Sequence, residues 1–203
     1  DPNQHVLNPL LFGFTEIVDN TPPTFSKLAI QSMDLNSRIN QQYGREEFWL
    51  KKTGNVYEPA KPIEAYGRIG VDFMGFDQLD GASNKNGITY VALVCNDSVC
   101  FTQNLESFSF DKNRHMNRHI DYKNYQKSGH SYQHCFVDDG NDLDFYGKNI
   151  NRGILDIKAG EEYKVVVSAK DQYQNESLLK FTIVGVEPKL NTPIPTSSKW
   201  HSY

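Results

Sequence analysis

The sequence predicts an all-β fold, a β-sandwich carrying a short, partly helical insertion, and three stretches carry that prediction. In residues 65–76, Ile69, Val71 and Phe73 fall on one face while Arg68, Gly70 and Asp72 fall on the other. That period of two marks a half-buried strand. Residues 88–95 are apolar on both faces, as expected of a central strand covered on each side. Near the C-terminus Tyr163, Val165, Val167 and Ala169 alternate with Lys164, Ser168 and Lys170, and Leu179, Phe181 and Ile183 alternate with Lys180 and Thr182. A long polar loop feeds the central hairpin, and sandwiches carry their functions on loops of that kind.

A chain of 203 residues is long enough to bury a core as one all-β domain. Its net charge of −4 gives no electrostatic case for nucleic acid or an anionic membrane. No apolar run approaches the roughly 20 residues needed to span a bilayer, so no transmembrane segment is expected. The chain begins at Asp1 with neither a Met nor a signal peptide, which suggests a processed product or a piece of something longer. Three cysteines make no disulfide framework and fit no CxxC zinc spacing.

In chain order, residues 1–21 read as a connector, with an apolar NPLLFGF patch too short for a strand pair. Pro22 and Pro23 fix φ and remove two backbone donors, which marks the boundary of a domain expected over 22–186. Residues 26–33 read as its first strand. Residues 36–61 read as a surface hairpin with a turn at Thr53-Gly54-Asn55 and an apolar island at Phe48, Trp49 and Leu50. Ile69 and its neighbours then form the long central strand, followed by the polar loop 77–87 and the hairpin 88–105. Residues 106–129 form the insertion, where Asp111 is expected to cap a short helix with Met116 and Ile120 on its inner face. Residues 131–137 return as a strand, Asp138 to Asn141 turn, and 152–157 is short and apolar. Residues 187–203, with Pro188, Pro193 and Pro195, read as a linker.

Three constellations are candidates for chemistry. His115 and His119 are four apart, as are His130 and His134, a spacing that on a helix puts two imidazoles on one face for zinc. The second pair lies in a turn-to-strand passage, no HExxH is present, and no acidic residue is placed as a base, so a solvated polar insertion is the competing reading. Asp77, Asp80, Ser83, Asn84 and Asn86 offer hard oxygen ligands for calcium on one loop. No glutamate closes an EF-hand, and the same residues suit Asx-turns, so the loop is expected to be rigid without metal. Cys95 and Cys100 face each other if Asp97-Ser98 is the turn, with Cα atoms about 4.5 Å apart as a disulfide allows. The alternative is two buried free thiols, with Cys135 a small core residue in either case.

Several phrases together, NPLLFGF…VDNTPP, GRIGVDFMGFDQLDGASNKNGI, SFSFDKNRHMNRHIDYKNY, NRGILDI and VVVSAKDQYQNES, carry a family likeness. They resemble the non-catalytic region that follows the catalytic domain of large lysostaphin/LytM-like zinc metallopeptidases of the Bacteroidota, a peptidoglycan endopeptidase family. The resemblance covers nearly all of residues 8–186. It implies an immunoglobulin-like β-sandwich and an exported protein of the periplasm or outer membrane. The Cys95–Cys100 pair is then expected to be oxidised. The family's zinc ligands come from HxxxD and HxH motifs; neither is expected here, so no catalytic residue is carried over. The resemblance implies zinc in a parent catalytic domain, and no cofactor is expected in this chain.

Two functions follow. One is an accessory module of a cell-wall hydrolase, positioning the enzyme or binding peptidoglycan or a cell-envelope protein. The other is a structural partner subunit of an outer-membrane or periplasmic complex without hydrolase activity. Either needs exposed aromatic surface, for which Phe48, Trp49, Tyr57 and Tyr122 are the candidates.

Overall fold

Alternating side chains build strands along almost the whole chain, of which the structure, a computed structural model, describes residues 5–14 and 16–189. The first half contributes β1 (His5–Leu7), β2 (Thr24–Ser32), β3 (Arg38–Ile39), β4 (Arg45–Thr53), β5 (Val56–Pro59) and β6 (Ile63–Phe76). The hairpin follows as β7 (Tyr90–Cys95) and β8 (Ser98–Asn104), then β9 (Ser107–Ser109). The second half adds β10 (Gln133–His134), β11 (Tyr146–Asn149), β12 (Leu155–Ile157), β13 (Glu162–Lys170) and β14 (Glu176–Gly185). The fold is mainly β, with no helix among the described residues long and apolar enough to cross a membrane.

Neighbouring strands run β10-β6-β2-β4-β5-β14-β13-β7-β8-β11, and β14 also pairs with β6. The path β6-β2-β4-β5-β14 therefore returns to β6 and closes a ring of five strands. Two parallel pairings make the closure, Leu179 opposite Tyr57 and Ile183 opposite Ile63. Strand β6 serves both sides because it changes partner along its length: Ile63 to Ala65 pair with β14, and Ile69 to Phe76 pair with β2. Gly67 lies between, at φ 74°, a left-handed conformation that favours glycine. Leu28, Ile30, Ile69, Val71, Phe73, Leu93, Val167, Leu179 and Ile183 are wholly buried in the resulting core.

The hairpin expected within residues 36–61 forms, with β4 and β5 joined at the Gly54-Asn55 turn, but it is not peripheral. β4 and β5 are ring strands, and the ring fails to close without them. Tyr57, expected on an interaction surface, is 3% exposed and packs edge-on against Phe25 at 5.5 Å. The connector is also more ordered than its composition suggests. β1 pairs with β9, and Asn8 caps the turn Pro9–Phe12 and donates to Gln172 at 3.1 Å. In the insertion, Phe110–Arg118 is a 3-10 helix without a side-chain cap. The α-helix is α1 (Tyr122–Ser128), capped by Asp121 rather than Asp111. The strand expected over 131–137 shrinks to β10. Most of the expected linker, residues 190–203, lies outside the described residues, as do residues 1–4.

Candidate functional site

The outer face of β6 is not a solvent face. The His134 side chain from the adjoining β10 reaches Asp72, and Phe136 and Met33 lie over Gly70, so Asp72 is wholly buried. The Asp72 carboxylate accepts from Gln31 Nε2 at 3.0 Å, lies 2.6 Å from His134 Nδ1, and has Arg45 Nε 3.9 Å away. Arg45 reaches on to Asp121 at 3.1 Å and Glu47 at 2.6 Å, with its guanidinium 4.1 Å from the Tyr132 ring centre. His119, also buried, shares a 3.0 Å hydrogen bond with the Tyr146 hydroxyl through Nδ1. Its carbonyl accepts from the backbone N–H of His134.

The structure therefore brings together His119 and His134, one from each spaced pair. His130 stays exposed after α1, and His115 sits half-buried in the 3-10 helix. Burial opposes a charge on His134, but the charge and hydrogen bond of Asp72, with Asp138 and Asp121 beyond, raise its pKa. Burial and the neighbouring His134 push His119 down to about 3. Two corrections follow. An acidic partner does exist, because Asp72 serves one of these histidines. The sequence also contains one HxxxD spacing, His134 to Asp138, though no HxH accompanies it. His134 commits its Nδ1 to Asp72, and no third ligand joins it and Asp138: among the described residues the His, Cys, Asp and Glu ligand atoms gather elsewhere.

At the hairpin the turn is Asn96-Asp97, with φ of 45° and 61°, not Asp97-Ser98. Cys95 consequently faces Ser98, and a register shift between Leu93 and Val94 leaves Cys100 without a partner opposite. Both thiols are free and half-buried, and burial pushes Cys95 up to about 11. Cys135 is buried in the core cluster beside β6, where its N–H donates to the Val71 carbonyl, as expected of a core residue.

The loop 77–87 closes through two backbone bonds between Asp77 and Asn86, at 3.0 and 2.8 Å. Its carboxylates do not simply serve their own backbone. Asp80 accepts from the Asn20 N–H at 3.1 Å and the Thr21 hydroxyl at 2.5 Å, both in the connector. Ser83, Asn84 and Asn86 are exposed. Asp77 turns inward to Asp19 and Asp171, with carboxylate oxygens of the three within 4.8 Å of one another. They are 4%, 5% and 1% exposed respectively. Burial, reinforced by the charges of Asp171 and Asp19, pushes Asp77 up to about 6 against a bond from Gln78. Burial also raises Asp19. Sequence reasoning missed Asp19 and Asp171, because each reads as turn chemistry until the strands bring them to one end of the fold.

Trp49 is 77% exposed on β4, with Lys27 Nζ 4.4 Å from its ring centre. It lines an open hollow with Phe48, Pro59 and Pro62, rimmed by polar Asn40, Glu47, Lys61 and Glu64. Alternation along β4 puts Trp49 and Glu47 outward and turns Phe48 toward the core, so Phe48 is half-buried. Tyr122 is exposed on α1, stacked near Tyr125 with ring centres 6.3 Å apart. Tyr57 drops out of the surface set. The chain matches no protein-family model, no curated protein and no solved structure.

Proposed function

We propose that this chain is a non-catalytic immunoglobulin-like β-sandwich module of a cell-envelope protein, and that it binds peptidoglycan on the Trp49 face. The parent resembles a peptidoglycan-directed zinc metallopeptidase, exported to the periplasm or outer membrane. One observation supports the architecture: apart from the two β14 pairings that close the ring, the strands pair antiparallel. The observation that carries the function is the hollow beside Trp49. An exposed indole offers an apolar platform for a sugar ring, and the surrounding amide, carboxylates and ammonium offer hydrogen bonds to hydroxyl and acetamido groups.

The test is co-sedimentation of the full chain with purified peptidoglycan sacculi. The wild-type chain should pellet, and Trp49→Ala should weaken binding by about tenfold or more, as loss of a central aromatic anchor does. A wild-type chain that stays in the supernatant would overturn the reading and favour a structural subunit of an envelope complex.

A further inference from the structure

We propose that Asp19, Asp77 and Asp171 form a calcium-binding site that fastens the N-terminal connector to the β domain. The three carboxylates come from segments far apart in sequence: the connector, the loop after β6, and the residue after β13. Their oxygens lie within 4.8 Å of one another, close enough to share one calcium ion with ligands at about 2.3–2.6 Å from it.

An acidic cluster alone is no site; two oxygens make this one. Asp19 Oδ2 and Asp77 Oδ1 are buried and have no hydrogen-bond partner. The rest of the cluster is held in place by protein donors. Asp19 Oδ1 accepts from the N–H groups of Thr21 and Asp80, and both Asp171 oxygens accept from Asn175 at 2.8 and 2.7 Å. Asn175 also donates to the Asp19 carbonyl at 3.0 Å. Donors therefore fix the carboxylates but leave one oxygen each on Asp19 and Asp77 unsatisfied. Among the described residues no Lys or Arg pairs with any of the three. Buried carboxylates without a counter-charge are costly, and a bound cation supplies both the charge and the missing contacts.

The donor set selects the ion. All three side chains offer hard oxygen and none offers nitrogen or sulfur, which disfavours zinc. Magnesium dehydrates reluctantly, keeps several waters and is usually held by one or two carboxylates rather than three. The loop 77–87 thus contributes one ligand and relies on two from outside it, where the sequence reading expects a metal-independent turn. This inference does not rest on glycan binding, and either can fail alone.

The test is thermal unfolding and calorimetry of the full chain, in chelator and in about 1 mM calcium, near the affinity range of extracellular calcium modules. One calcium per chain and a rise of several degrees in Tm are expected. Asp77→Asn should abolish that rise while melting in chelator at or above the wild-type temperature, because it removes repulsion and keeps the shape. Asp19→Asn should behave alike, and calcium should slow proteolysis of the wild-type connector. An unchanged wild-type Tm, a rise that survives in Asp77→Asn, or an equal rise with magnesium would overturn the assignment.

Discussion

His119 and His134, joined by a 3.0 Å backbone hydrogen bond, have their pKa values shifted in opposite directions. Asp72 raises the pKa of His134 against the effect of burial, so the stability it contributes is complete below its unfolded pKa near 6.5 and is lost as pH rises through its raised folded value. His119 works the other way. Its folded pKa of about 3 lies below the unfolded value, so the unfolded chain takes up a proton that the folded chain refuses. Stability from His119 therefore falls as pH drops from about 6.5, by about 1.4 kcal/mol per pH unit. In urea unfolding at pH 7 and pH 5, His119→Gln should show a smaller loss on acidification than wild type. Equal losses would contradict the burial of a neutral imidazole. Neither histidine's role was legible in the i, i+4 spacing, because that spacing presumes one helix. The pair that meets joins the end of a 3-10 helix to a short strand paired with β6 opposite Asp72.

At the scale of elements, the strand faces were readable and their partners were not. Alternation in 163–169 and 179–183 correctly gave the inward residues of β13 and β14, which pair along nine positions. The same alternation misjudged β6, since a period of two distinguishes the faces without telling whether both are covered. Turn chemistry, applied more strictly, would have placed the hairpin. A two-residue turn of this kind needs positive φ at both positions, which Asn96 and Asp97 tolerate far better than Ser98. Gly67 is the element-scale test. Its φ of 74° lets β6 change partner, and an added Cβ would lie 2.9 Å from Ser37 Oγ and 3.2 Å from Ser37 Cα. Gly67→Ala should therefore destabilise the fold by about 1–3 kcal/mol in chemical denaturation. A neutral result would contradict the role of Gly67 in closing the ring.

Across the whole molecule, the connector is part of the β domain's surface and not a free tether. β1 on β9, Asn8 on Gln172, and Asp80 on Asn20 and Thr21 tie it down at several points. Such contacts between segments up to 164 residues apart leave no local trace in sequence, which is why composition suggested a loose lead-in. A docked connector and an exposed aromatic hollow on another strand are the features on which the proposed wall-binding role rests. The most direct test of that account is one incubation of the purified chain with sacculi, in which pelleted protein and soluble muropeptides are both quantified. The account predicts saturable pelleting that depends on Trp49, with no muropeptide released. Muropeptide release that disappears in a His134→Ala variant would contradict it.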